Sequence, residues 1–285
     1  MQLERIALDH DRSDVYLQAY WLENSAEFQT GQRRPVVIVC PGGGYLATSD
    51  REAEPIALRF AAHGYHACVL RYRVRTPLPA PMLDLARAIL AVRERAAERF
   101  VDPDQLILCG FSAGGHLAAA LGVLWDQPLL YAPLGVTPAR IKPNALVLAY
   151  AVIDPEVIRL PPLVVDPQTG RPQLDLGLLS AAFGDPQPPA AAVDPYRLDW
   201  HVSASTAPAF IWHTADDPVV PAANALRFAS ALARHGVPYE LHIFASGEHG
   251  LALADETTAI DGRLIDLPNQ AWLPLALTWL KRRRA

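Results

Sequence analysis

The stretch QLILCGFSAGG, residues 105–115, decides how this chain folds. Its first part, QLILC, has the character of a strand buried on both faces of a parallel sheet. The part that follows fits G-x-S-x-G, in which Ser112 occupies a tight turn between a strand and a helix. Small residues must flank such a turn, and Gly110, Gly114 and Gly115 meet that requirement. The sequence therefore predicts that Ser112 lies at the C-terminal edge of a sheet and at the start of a helix.

Strands and helices alternate outward from this stretch in both directions. The pattern is typical of a mostly parallel, twisted sheet with helices on both faces, and we expect one α/β domain over residues 1–285. A strand at 14–22 is expected at a sheet edge, and Ser49 with Glu52 matches a capping box opening a helix that reaches residue 62. The other predicted strands are 35–40, 66–74, 105–109, 145–152, 207–213 and 239–244, and the other predicted helices are 82–99, 112–123, 221–235 and 269–283.

One region breaks the alternation. Residues 155–195 contain nine prolines and show little periodicity. A long irregular stretch inside a compact domain is usually functional. We therefore expect a Pro-rich insertion at about residues 155–200 that lies over the C-terminal edge of the sheet and shapes a pocket.

Composition excludes several classes of protein. The chain is 51% hydrophobic and 19% charged, which excludes a disordered chain, and its net charge of −5 disfavours a nucleic-acid or anionic-membrane partner. Cys40, Cys68 and Cys109 form no metal-binding or disulfide pattern, and we expect Cys40 and Cys109 to be neighbouring reduced thiols. The charged N-terminus lacks an apolar segment and no long apolar span follows, so a cytoplasmic enzyme is expected.

A serine nucleophile needs a base, and the base needs a group that orients it. His249 is the expected base, because it lies between two glycines in ASGEHGL, just beyond a predicted strand. Asp217, in ADDPVVP after the strand at 207–213, is the preferred acid. Asp154, which also follows a strand, and the adjacent Asp216 remain alternatives.

Three consecutive glycines, residues 42–44, follow the predicted strand at 35–40. Without side chains, their backbone N–H groups are accessible to a substrate carbonyl. Together with the N–H of Ala113, these amides are expected to form an oxyanion hole. The sequence contains neither GxxxxGK[ST] nor GxGxxG, which argues against a phosphate-binding loop.

Four segments in order resemble the α/β hydrolases of the esterase/lipase type. They are VIVCPGGGY, GFSAGGHLAA, FIWHTADDPVVP and LHIFASGEHGL, spanning residues 36–251. More narrowly, they resemble the acetyl-xylan-esterase-like and feruloyl-esterase-like carbohydrate esterases. The resemblance implies Ser112 as nucleophile, Asp217 as acid and His249 as base. It also implies that the backbone amides around Gly43, Gly44 and Ala113 bind the oxyanion. The HGGG motif of many lipases is CPGGG here, which leaves open which glycine amides take part.

The expected activity is that of a serine carboxylesterase acting on short-acyl, acetyl-type esters, with acetylated sugars such as xylo-oligosaccharides preferred. No metal or organic cofactor is expected, the partner is a small-molecule ester, and a homo-oligomer is left open. Tyr45, and with it Tyr150 and Trp200, is expected to line the pocket and stack on sugar faces. The alternatives are a peptidase or amidase of the prolyl-oligopeptidase-like group and a non-catalytic binding protein of the same fold.

Overall fold

The computed structural model describes residues 1–25, 27, 31–156 and 177–283. Eight strands in these residues form one sheet in the order β1-β2-β4-β3-β5-β6-β7-β8. The strands β3 to β8 run parallel to one another, whereas β2 pairs antiparallel with both β1 and β4. The strands are β1 Gln2–Ala7, β2 Tyr16–Trp21, β3 Arg34–Cys40, β4 His66–Arg71, β5 Val101–Phe111, β6 Ala145–Ala149, β7 Ala209–Thr214 and β8 Tyr239–Phe244.

The first strand corrects one prediction. We expected the strand near residue 16 at the edge of the sheet, but β1 pairs outside it and takes the edge position. No strand was predicted at residues 2–7, because Ile6 is the only buried residue of β1 and one residue leaves no alternating pattern.

Helices cover both faces of the sheet, as the alternation predicts. On one face α2, α3 and α7 pack against an apolar layer that includes Val36 and Ile38 of β3. On the other face α1 and α8 pack against a layer that includes Val37 and Val39. Because successive side chains of a strand point to opposite faces of the sheet, β3 contributes to both hydrophobic cores. The helices are α1 Glu54–Ala62, α2 Ala80–Glu94, α3 Ser112–Leu124, α4 Pro128–Tyr131, α5 Leu178–Phe183, α6 Ala190–Val193, α7 Ala223–Arg234 and α8 Trp272–Arg282.

Two predictions about helix ends were wrong. The helix α1 begins at Glu54 with Pro55 in its first turn, and no side chain caps it, so Ser49 and Glu52 do not form a capping box. The predicted helix over 82–99 ends at Glu94, because Arg95 and the residue after it bond to carbonyls three residues back and tighten the chain.

The three cysteines are free and buried, and Cys40 and Cys109 lie on the adjacent strands β3 and β5, as predicted. In the described part of the chain no helix is long and apolar enough to cross a bilayer.

The predicted insertion at 155–200 is described in part, since its residues 157–176 lie outside the described residues. The described remainder carries α5 and α6 and is tied to the body of the fold. Leu78 N–H donates to the Ala182 carbonyl at 2.8 Å, and His116 Nε2 lies 3.1 Å from the Tyr196 carbonyl. The described remainder of the insertion thus lies beside the helix that begins at Ser112.

Candidate active site

Ser112 occupies a strained turn between β5 and α3. Its φ of +51° lies in the left-handed region, which is uncommon for a residue with a side chain. The neighbouring glycines make the turn possible: a Cβ on Gly110 would lie 2.3 Å from the Gly114 carbonyl oxygen, and one on Gly114 would lie 2.1 Å from that of Cys40. Backbone contact on both sides therefore fixes the position of Ser112.

A chain of hydrogen bonds joins Ser112, His249 and Asp217. Ser112 Oγ lies 2.9 Å from His249 Nε2, and His249 Nδ1 lies 2.8 Å from Asp217 Oδ2. The three side chains come from the carboxyl ends of β5, β8 and β7. In the tautomer that fits both contacts, Nδ1–H donates to Asp217 and Nε2 accepts the Ser112 hydroxyl proton.

The Asp217 carboxylate is buried and fully hydrogen-bonded. Its Oδ1 accepts from the N–H groups of Val219 and Val220, at 2.8 and 2.9 Å. Burial alone would raise its pKa, but hydrogen bonding from His213 and His249, the positive charge of protonated His249 and the Val220 N–H together hold the pKa well below its usual value. The lowered pKa keeps Asp217 anionic at neutral pH.

The two alternative acids have other partners. Asp154 forms ion pairs with Arg197 and Arg227, at 3.1 and 2.8 Å. Asp216 accepts from the Gly247 N–H at 2.9 Å. Of the three aspartates, only Asp217 contacts His249 in the described structure.

The glycine loop, Gly42 to Gly44, connects β3 to the pocket. The Gly42 N–H donates to Glu52 Oε2 at 2.8 Å, which removes it from the candidate oxyanion donors. The N–H groups of Gly43 and Gly44 have no acceptor among the residues that the structure describes. Ala113 is the second residue of α3, where an N–H has no intrahelical acceptor. The unpaired amides are thus those of the three residues predicted for the oxyanion hole.

The aromatic residues predicted to stack on sugars do not line the pocket. Tyr45 is 1% exposed and bonds to His116 Nδ1 at 2.8 Å, so its role in substrate binding was wrongly predicted. Tyr150 is equally buried, with its ring 5.0 Å from that of His249. Trp200 is exposed, but the guanidinium of Arg197 covers its ring at 3.9 Å. An aromatic next to a glycine motif gives the same sequence signal whether it is buried or exposed.

Beside Ser112 and His249 lies a pocket of about 350 Å³. Its volume is at the small end of the range for small-molecule sites. Its polar lining includes Ser49, Arg51 and Glu52. Its aliphatic lining consists of Leu46, Val152, Leu178, Val219 and Val220. Leu178 belongs to the described part of the insertion and lines the pocket.

Comparison with known proteins identifies the family. The BD-FAE family model matches residues 25–232, which is most of the chain. This chain belongs to the BD-FAE family. The BD-FAE match ends before His249, so the base candidate rests on the geometry of the site.

Individual relatives of this BD-FAE protein are named as hydrolases. It is 31% identical over 229 residues to endo-1,4-beta-xylanase B of Butyrivibrio fibrisolvens, covering 79% of this chain and 33% of that protein. The acetyl ester-xyloside bifunctional hydrolase of Caldicellulosiruptor lactoaceticus has a crystal structure with a TM-score of 0.77 and 33% identity, covering 98% of this chain and 96% of that one. Carboxylesterase Cest-2923 of Lactobacillus plantarum WCFS1 has a TM-score of 0.80 and 32% identity, covering 99% and 98%.

The predicted α/β-hydrolase fold is confirmed by these structures, and one of them is named a carboxylesterase, which is the class that the sequence predicts. The chain spans only a third to about a half of the length of the first curated relatives it matches.

Proposed function

We propose that this protein is a serine carboxylesterase that hydrolyses short-acyl esters of carbohydrates, such as acetylated xylo-oligosaccharides. The observation that carries the proposal is the hydrogen-bonded series Ser112 Oγ, His249 and Asp217, with contacts of 2.9 and 2.8 Å. A serine with an oriented imidazole and a buried carboxylate is the arrangement that acyl transfer requires.

In the proposed reaction, Ser112 Oγ forms a bond to the ester carbonyl carbon while His249 Nε2 takes the hydroxyl proton. The carbonyl oxygen becomes an oxyanion that accepts hydrogen bonds from the amides of Gly43, Gly44 and Ala113. The tetrahedral intermediate expels the alcohol, which receives the proton from His249. Water then attacks the acyl-enzyme in the same way, with His249 as base and then acid, and releases the carboxylic acid. Asp217 stabilises the imidazolium formed in each half-reaction.

Two observations support the choice of substrate. The pocket beside Ser112 is small and five aliphatic side chains line it, which suits a short acyl group. Two of the relatives carry names that refer to xylan or xylosides. A small-molecule ester is therefore the proposed partner, and the cytoplasmic location stays a prediction.

The proposal is tested with p-nitrophenyl esters of two to eight acyl carbons, alongside acetylated xylo-oligosaccharides with acetate release measured. We expect kcat/KM to be highest for the acetyl ester and acetate to be released from the sugar. An aminoacyl anilide hydrolysed faster than p-nitrophenyl acetate would instead identify a peptidase. Replacing Ser112 by alanine should lower kcat by about 10⁴-fold or more, since members of such a group act as a unit. Full activity in that variant would overturn the mechanism.

A further inference from the structure

Glu52 is a buried carboxylate in the wall of the same pocket as Ser112 and His249. It is 4% exposed, yet none of the residues that the structure describes forms an ion pair with it. The adjacent cation, Arg51, donates instead to the carbonyls of Gly250 and Thr258. Burying a carboxylate without a cation is costly, so such a group is retained where its hydrogen bonds matter.

Each oxygen of this carboxylate holds a different part of the site. Oε2 accepts from the Gly42 N–H at 2.8 Å and so fixes the first residue of the glycine loop. Oε1 accepts from the Tyr150 hydroxyl at 2.7 Å. The space around Gly42 is also filled, because a Cβ there would lie 2.8 Å from Glu52 Oε2 and 3.0 Å from Ser112 Cβ.

Tyr150 links Glu52 to the histidine loop, residues 245–252. Its hydroxyl accepts from the Ala252 N–H at 3.0 Å. The centroid of its ring lies 5.0 Å from that of the His249 ring, in an edge-to-face arrangement. Burial, and then the nearby Glu52 carboxylate, raise the pKa of Tyr150 well above its usual value. The hydroxyl thus stays neutral and keeps the proton that it donates to Glu52.

We propose that Glu52 is a positioning residue that fixes the glycine loop and, through Tyr150, the histidine loop in a single geometry. This inference rests on the proposed esterase mechanism and adds to it. With the Gly42 N–H held by Glu52, the next two amides keep their orientation towards the pocket. With Ala252 held by Tyr150, the imidazole keeps its distance from Ser112. Glu52 contacts neither reacting atoms nor His249 directly, so its effect is on geometry alone.

The test compares Glu52→Gln, Tyr150→Phe and the double variant with Glu54→Gln. Glu54 is an exposed carboxylate two residues further on, in the first turn of α1, and serves as the matched control. Glutamine can accept from Gly42 or from Tyr150 but not from both, while phenylalanine keeps the ring contact with His249 and loses both hydroxyl bonds. We expect kcat for p-nitrophenyl acetate to fall about 10- to 100-fold in each single variant, by comparison with losses on removing an oxyanion donor. KM should change less than about threefold, Glu54→Gln should be unchanged, and the double variant should be no worse than about the poorer single one.

A second measurement separates positioning from simple destabilisation. A trifluoromethyl ketone adds to the serine and carries an oxyanion, whereas the matching alcohol forms no such adduct. The inhibition constant of the ketone should rise in parallel with the loss of kcat, with that of the alcohol unchanged. Unchanged ketone affinity and unchanged kcat at a temperature well below the melting temperature would overturn the inference. If Glu52→Gln does not fold, Tyr150→Phe decides by the same two readouts. Ser112→Ala, assayed in parallel, reports on the esterase mechanism separately.

Discussion

Asp217 faces His249 with one carboxylate oxygen, at 2.8 Å from Nδ1, and holds two backbone N–H groups with the other. The backbone bonds fix the orientation of the carboxylate, so the oxygen that faces the ring can serve only as an acceptor. That relationship selects the tautomer with its proton on Nδ1 and leaves Nε2 free to accept from Ser112.

The tautomer argument predicts a large loss of activity in Asp217→Asn. An amide NH₂ facing Nδ1 would favour the wrong tautomer, and kcat should fall by about 10³- to 10⁴-fold. The matched control is Asp216→Asn, an exposed neighbour whose remaining carbonyl oxygen can still accept from the Gly247 N–H. Hydrolysis of p-nitrophenyl acetate checks both. Equal losses in the two variants would contradict the assignment of Asp217.

Acid should remove a stabilising contribution of Asp217. Its pKa in the folded protein is lowered, so the stabilisation is present above the unfolded-state pKa of about 4 and disappears as pH falls towards the folded-state pKa. The difference in free energy of unfolding between the parent and Asp217→Asn should therefore shrink below about pH 4. Urea unfolding from pH 6 to pH 3 measures it, and a difference that grows on acidification would contradict the prediction.

The lowered pKa of His116 predicts that the stability of the folded protein also depends on pH, in a higher range than the one expected for Asp217. Burial lowers the pKa of His116 in the folded protein from 6.5 to about 4. Between these two values the unfolded chain binds a proton that the folded protein does not, so stability should fall as pH decreases from 6.5 to 4. Replacing His116 by glutamine, which can still bond to the Tyr45 hydroxyl, should flatten that part of the curve. A slope identical to that of the parent would show that His116 is not responsible.

The glycine loop predicts strong intolerance of a side chain at Gly43. Its φ of +127° is reserved for glycine, and an added Cβ would lie 2.3 Å from the Ala47 carbonyl oxygen. Gly43→Ala should therefore lower kcat by about 100-fold or more, as loss of an oxyanion donor does. Gly262→Ala is the control, because a Cβ there meets open space. Normal kinetics in Gly43→Ala would show that the loop can move without cost to catalysis.

The aliphatic lining of the pocket predicts that shortening Leu178 changes the preference for acyl chain length. Leu178 lines the pocket beside Ser112, whereas Leu179, the next residue of α5, is buried but does not line it. Leu178→Ala should raise kcat/KM for the octanoate ester relative to the acetate about 10-fold, since each methylene that a pocket accepts contributes about 1–3 kcal/mol. Leu179→Ala should leave this ratio unchanged. A shift of equal size in both would indicate a general loosening of the insertion.

The sequence predicts the site best where the signal is local. Ser112 is identified by a buried strand followed by closely spaced glycines, and His249 by its position just beyond a strand. The role of Glu52 is not predictable in this way, because Ser49 and Glu52 have the spacing of a capping box whether or not the carboxylate turns inward. Its partners, Gly42 and Tyr150, are 10 and 98 residues away in the chain.

The same reasoning explains the other errors. The edge strand β1 buries only Ile6, so its sequence lacks the alternation by which a strand is recognised. Tyr45 was expected in the pocket because it adjoins the glycines, but its partner His116 comes from a helix 71 residues later. Both depend on contacts that are distant in sequence.

The close backbone approach of Gly114 to the carbonyls at the end of β3 fixes the position of Ser112 independently of the side chains that line the pocket. The oxygen of the proposed nucleophile, Ser112, is located by main-chain atoms, while aliphatic side chains line the pocket, one of them in the described part of the insertion. Substitutions of those side chains can accumulate without displacing Ser112. Such a scaffold can acquire new substrates through the exchange of a few side chains, with its reaction unchanged.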